Sequence, residues 1–143
     1  MFKWECQSLN KIMEITYKIN TRISTEEVAD LFTKSGINRP VNDLPRIKKM
    51  IDNANLTITA WDGSKLVGIS RSLTDFCYCC YLSDLAVDKK YQHKGIGRKL
   101  IKLTKKEVGD NSMLLLLSAP DAMDYYQKVK FDKVNNGFII NRK

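Results

Sequence analysis

Apolar residues along this chain change spacing several times, and each change marks an element. Residues 12–19 come close to strict alternation and predict a first strand. Ser24-Thr25-Glu26-Glu27 reads as a capping box, in which the Ser24 hydroxyl accepts from the Glu27 amide while the Glu27 carboxylate reaches back. Val28, Leu31 and Phe32 supply the apolar stripe of the helix that follows, and Gly36 stands where its C-terminal cap belongs. A second short helix is predicted from Asp43-Leu44-Pro45, with Ile47, Met50 and Ile51 turned inward.

Strands come next. Residues 56–61 and 65–73 flank Asp62-Gly63, a dipeptide suited to the positive φ angles of a tight hairpin turn, and 78–87 forms a third strand. Over 97–108 the period becomes helical: Leu100, Ile101, Leu103 and Val108 are apolar, while Arg98, Lys99, Lys102, Lys105 and Lys106 face water. Residues 113–117 form a continuous apolar run, which predicts a strand buried on both faces. Residues 122–128 predict a short helix, and Asn135-Asn136-Gly137 the turn of a closing hairpin that ends in Phe138-Ile139-Ile140. The expected architecture is α+β (mixed α/β), one domain over residues 1–143, with a central, largely antiparallel sheet.

Composition agrees with a folded domain of that size. The chain has 143 residues, of which 43% are hydrophobic and 28% charged, so it has the apolar content that disordered chains lack. It is basic, with 24 Lys+Arg against 16 Asp+Glu and a net charge of +8. The excess is concentrated: the 19 positions from Asp88 to Lys106 hold eight basic residues and one acid, which accounts for +7 of that +8. Such a patch calls for an anionic partner, whether nucleic acid, a membrane surface or a phosphorylated cofactor, or is a solvated helix face.

No run of apolar residues is long enough to span a membrane, and the first fifteen positions do not resemble a signal peptide, so the cytoplasm is the expected compartment. Cys6, Cys77, Cys79 and Cys80, with His93 as the single histidine, lack the paired spacing of a zinc site. No metal is expected, and the Cys77–Cys80 group reads as small buried strand residues.

The chemistry is expected where the third of these later strands gives way to the basic helix. A strand ending in Leu85-Ala86-Val87, a loop Gln92-His93-Lys94-Gly95-Ile96-Gly97 and a helix opening at Arg98 point several backbone N–H groups at one spot, where the helix dipole is positive. A pyrophosphate suits such a place. Two familiar phosphate loops are excluded: Leu100 stands where a dinucleotide-binding loop needs its third glycine, and Gly97-Arg98-Lys99 where a P-loop needs Gly-Lys-Ser/Thr.

Gln92-His93-Lys94-Gly95-Ile96-Gly97 instead resembles the Gln/Arg-x-x-Gly-x-Gly/Ala loop of the GNAT acetyltransferase superfamily, in its expected setting after Leu82-Ser83-Asp84-Leu85-Ala86-Val87. The run from Ala122 to Phe131, with Tyr125-Tyr126 at its centre, is similar to that family's late aromatic motif, except that Lys130 replaces the usual glycine before Phe131. The order of elements resembles the family over nearly the whole chain. The resemblance implies a twisted sheet of about six to seven strands with about four helices, splayed where acetyl-CoA binds.

It also implies roles for particular residues. The backbone of Gln92, His93, Lys94, Gly95, Ile96, Gly97 and Arg98 would hold the coenzyme A pyrophosphate, with Cβ atoms at 95 or 97 in the way of the phosphates. Lys94 and Arg98 are the expected side-chain contacts, and the His93 side chain is expected to face solvent. The pantetheine would lie along Leu85, Ala86 and Val87, with the Val87 N–H donating to the thioester oxygen. Tyr126 corresponds to the family's tyrosine that protonates the departing thiolate, or else packs against the thioester; Tyr125 and Phe131 are expected in the core. Asp84 is the candidate base for the attacking ammonium, directly or through water, and reads equally as a hydrogen-bonded strand residue or a dimer contact. Asp75 and Glu26 are weaker candidates for binding an amine.

The activity implied is direct transfer of an acetyl group from acetyl-CoA to a primary amine of a small molecule or peptide in a ternary complex. The alternative is a non-catalytic acetyl-CoA-binding, nucleic-acid-binding or protein-binding module that uses the basic loop and helix. A homodimer is left open, no membrane partner is expected, and the amine is not readable from the motifs.

Overall fold

The computed structural model describes residues 13–143. Cys6 and Ile12 therefore lie outside the described residues. The elements run β1 (Ile15–Ile19), α1 (Thr25–Ser35), α2 (Leu44–Asp52), β2 (Leu56–Asp62), β3 (Lys65–Thr74), β4 (Cys79–Val87), α3 (Ile96–Val108), β5 (Met113–Leu115) and α4 (Met123–Lys128). Single 3-10 turns at Lys89–Tyr91 and Pro120–Ala122 precede α3 and α4.

The five strands lie in chain order, antiparallel from β1 to β4, with β5 parallel to β4. Hairpins join β2 to β3 and β3 to β4, whereas α1 and α2 connect the antiparallel pair β1 and β2. The parallel pair needs a crossover, which α3 supplies. Helices α1 and α2 cover one face, where Val28, Leu31, Phe32 and Ile47 meet Trp61, Ile69 and Ala86. Helix α3 covers the other, with Ile96, Leu100 and Val108 on Leu56, Ile58, Ala60 and Val67. Each large side chain buried in these layers contributes roughly 2 kcal/mol.

Local signals explain the helix ends. At α1 both halves of the capping box form: the Glu27 amide donates to Ser24 Oγ at 3.1 Å, and the Ser24 amide donates to Glu27 Oε2 at 2.9 Å. At α2 the Arg46 amide donates to Asp43 Oδ1 at 3.1 Å.

Strand β4 carries a bulge. Opposite it, Arg71 pairs with Asp84 and Ser72 with Leu82, so Ser83 is an extra residue. The bulge switches the faces: Cys80 belongs to the α3 side, whereas Ala86 belongs to the α1/α2 side. Asp84 therefore enters the sheet beneath α1 and α2.

Three expectations are corrected. The run 113–117 is not a strand buried on both faces: β5 is three residues long, Met113 is 54% exposed, and among the described residues β5 pairs with β4 alone. The closing hairpin does not form among the described residues, and Phe138 and Ile140 are fully exposed, so the sheet has five strands instead of six or seven. Asn135-Asn136-Gly137 can turn, but the arm before it, Asp132-Lys133-Val134, offers one apolar residue where a strand needs an alternating face. Of the clustered cysteines only Cys80 is buried. Cys77 and Cys79 are exposed because the Asp75 carboxylate accepts from the amides of residues 77, 78 and 79, which makes a turn of the expected strand start.

Candidate active site

Strands β4 and β5 part company early. Their pairing ends at Tyr81 and Leu115, so from Leu82 to Val87 one edge of β4 has no strand beside it. The Asp88 amide donates to Val67 on the β3 side at 2.9 Å. Amides alternate in direction along a strand, so the Val87 N–H faces the open edge. The Val87 carbonyl accepts from the Gln92 side chain at 2.8 Å, which ties the loop to the strand end.

The loop itself is strongly curved. His93 has φ +62° and Gly95 has φ +84°, and such alternation turns successive N–H groups toward a common concavity. Lys99 is the first amide of α3 with a helical acceptor, the Gly95 carbonyl. Among the described residues the amides of residues 93–98 donate to no protein acceptor. Unpaired amides at a helix start are a ready anion site. Glycine is required at 95 by the backbone, since a side chain at that φ is strained.

At Gly97 the requirement has a different origin from the one expected. A Cβ there would lie 2.7 Å from the Tyr125 hydroxyl. Tyr125 is thus not a core residue: it is 38% exposed, and its hydroxyl reaches over the loop, where Gly97 leaves room for it. Burial pushes its phenol upward, and the Arg98 guanidinium pulls it down.

Tyr126 is half-buried, with edge-on contacts to Tyr125 at 5.3 Å and to Phe131 at 5.7 Å between ring centroids. Burial raises its pKa above the ordinary phenol value, the neighbouring Tyr125 adds to the rise, and Arg39 opposes it. Phe131 is half-buried, so the core placement expected for it is only partly met. The turn after α4 closes in spite of Lys130. Its φ is +71°, its amide donates to Gln127 and the Phe131 amide to Tyr126, the double pattern of a Schellman cap with lysine in the glycine position.

A cleft of about 540 Å³ joins these parts. Leu85, Val87, Gln92, His93, Gly95, Ile96, Gly97, Arg98, Tyr125 and Tyr126 all line it. Ala86 points away into the α1/α2 core, and Lys94 is exposed with its ammonium 5.7 Å from the Tyr91 ring. His93 is exposed, as expected.

Asp84 lies elsewhere and in company. Its carboxylate is fully buried, with Oδ1 accepting from Arg39 Nε and Oδ2 from Arg71 Nε, each at 2.5 Å. Arg39 also donates to the Ser83 carbonyl at 2.9 Å, and Arg71 to Ser83 Oγ and the Met50 carbonyl at 3.0 Å each. Sequence reasoning missed both arginines. Arg71 left a signal, the one charge in the interior of its strand; Arg39 left none. Glu26 lies in a separate cleft beside α1, and Asp75 in the β3–β4 turn.

An α+β sheet that parts beside a loop of unpaired amides, with tyrosines across the gap, defines a domain whose split sheet frames a cleft suited to an anion. The chain belongs to the GNAT acetyltransferase family, whose acetyltransferase (GNAT) domain model matches residues 24–141. An uncharacterized ycf52-like N-acetyltransferase of Prochlorococcus marinus is 24% identical over 129 residues, which covers 86% of this chain and 71% of that one. A GNAT-family acetyltransferase of Streptococcus pneumoniae has the same fold, with a TM-score of 0.73 and 22% identity over 91% of this chain and all of that one. The aminoglycoside N-acetyltransferase AAC(6')-Iy, solved with CoA, aligns with a TM-score of 0.68 and 11% identity over 91% of this chain and 95% of that one. Acetyl transfer is therefore the family activity of this chain. Among the described residues no helix is long and apolar enough to cross a membrane.

Proposed function

We propose that this single-domain protein, acting in the cytoplasm, transfers the acetyl group of acetyl-CoA to a primary amine within a ternary complex. The observation that carries the reading is the row of unpartnered amides from residue 93 to 98, set beside the free edge of β4. A pyrophosphate fits that cradle, because its oxygens need the donors that the loop leaves unpaired. Gln92 holds the loop to the strand, and Lys94 and Arg98 add positive charge. Acetyl-CoA, when bound, supplies the activated acetyl group.

The chain's own residues supply the rest. The Val87 N–H, facing the open edge, is a donor for charge that develops on a carbonyl oxygen. Leu85 and Val87 give the cleft an apolar wall that excludes water. Tyr126 serves as general acid: burial keeps its phenol protonated at neutral pH, and its place in the cleft lets it donate to a departing thiolate. Asp84 is assigned a positioning role, since both its oxygens already hold guanidinium groups and no solvent reaches it.

Calorimetry with acetyl-CoA, followed by thiol release with a panel of amines, tests the reading. Micromolar binding with amine-dependent turnover is expected. No binding at millimolar acetyl-CoA would overturn it.

A further inference from the structure

A second cleft, of about 410 Å³, opens on the α1/α2 side of the β4 bulge. Arg39, Arg46, Arg71 and Arg142 line it together with Tyr81 and Ser83, and no carboxylate does. Asp84 beneath it answers only two of the four guanidinium groups. Arg39 and Arg71 each commit three nitrogens to protein acceptors, which fixes their planes. Among the described residues the side chains of Arg46 and Arg142 have no acceptor.

The two clefts lie on either side of β4: Ser83 at the bulge borders this one, and Leu85, two residues further along the same strand, borders the loop cleft. Arg39 is also close enough to Tyr126 to lower its phenol against the effect of burial. We infer that the acceptor is a small amine carrying an anionic group, a carboxylate or a phosphate, which Arg46 and Arg142 clamp over the fixed Arg39 and Arg71 while the amine reaches toward Leu85. Guanidinium forks match both kinds of anion bidentately. A polycation such as an aminoglycoside, the class named for one structural relative, meets four like charges there.

The inference rests on the acetyltransferase reading, and the test keeps the two apart. Thiol release is compared within matched pairs: amino acids against their amides, and amino-sugar phosphates against the free amino sugars. At least tenfold higher kcat/KM is expected for the anionic member in one arm, and the arm that responds tells carboxylate from phosphate. Arg46→Ala with Arg142→Ala should raise KM for that amine at least tenfold, with acetyl-CoA affinity by calorimetry unchanged. Both positions are exposed enough that the fold is expected to survive. In parallel, inorganic phosphate and acetate are titrated into the CoA-saturated protein and the double variant; anion binding that needs the two arginines supports the inference. Preference for the neutral or polycationic amine, or anion binding indifferent to both arginines, overturns it. Failure to bind acetyl-CoA is instead the failure of the acetyltransferase reading, and the anion titration is then read on the protein without CoA, with the same two outcomes.

Discussion

The hydroxyl of Tyr125 stands over the α-carbon of Gly97, so close that a Cβ at 97 would lie 2.7 Å from it and 3.7 Å from the ring carbon that bears it. The first distance is a clash, and the second is ordinary contact. Gly97→Ala should therefore displace Tyr125 and weaken acetyl-CoA binding by about tenfold, although alanine suits a helix better than glycine by about 1 kcal/mol. The same change in a Tyr125→Phe background should cost little, because only the oxygen is in the way. Calorimetry on the two single variants and the pair checks this; equal losses in both backgrounds would show that the contact does not govern the site.

Tyr126→Phe removes the proposed acid and keeps the ring contacts to Tyr125 and Phe131. A fall in kcat of about a hundredfold is expected, with acetyl-CoA affinity nearly unchanged. Burial, reinforced by Tyr125, holds the phenol above its ordinary value, so the protonated form persists past about pH 10. Wild-type kcat should thus show no alkaline loss from this group below that pH. The sign for folding is the same: the contribution of the neutral phenol is complete below the unfolded pKa and is lost as pH rises through the higher folded one. Unchanged kcat in the variant at every pH would remove the acid role.

Asp84→Asn separates a positioning role from a base. The substitution keeps the size of the side chain but leaves Arg39 and Arg71 facing each other without a counter-charge in a buried place. Breaking such a cluster costs about 3–5 kcal/mol. Denaturant unfolding should show that loss. A general base would give the opposite result, a stable protein with a collapsed kcat and a changed pH profile.

The elements that were legible in the sequence are those written in short-range code. The Ser24 to Glu27 box and the Gln92 to Gly97 loop each depend on residues within a few positions of one another and form where the sequence places them; the hairpin at Asp62-Gly63 forms too, one residue later, with Gly63 at positive φ and Asp62 still paired in β2. The partners of Asp84 lie 45 and 13 residues away, and a bulge decides which face its side chain takes; no local pattern encodes either. Tyr125 misled for a similar reason. An aromatic on a short helix reads as core unless one knows that a glycine two elements earlier leaves a gap for its hydroxyl. The closing hairpin had a turn signal and an apolar end but no second arm, and a turn without two pairing faces does not make strands.

Lys130 offers a gain of stability. It occupies the left-handed position of the cap that ends α4, and the cap is otherwise complete: both hydrogen bonds are made, and Phe131 packs on Tyr126 as the hydrophobic contact of that motif. A lysine held at φ +71° carries backbone strain on the order of 1–3 kcal/mol, which glycine lacks. Glycine loses more chain entropy on folding, about 0.5–1 kcal/mol. The difference favours Lys130→Gly by about 1 kcal/mol, equivalent to a rise in Tm of about 3–5 °C for a chain of this length. Because the cap fixes the turn on which the Tyr126 ring rests, the variant should also hold or raise kcat. Thermal unfolding and thiol release on the same preparation measure both, and a lower Tm would mean that the Lys130 side chain makes a contribution larger than the strain it brings.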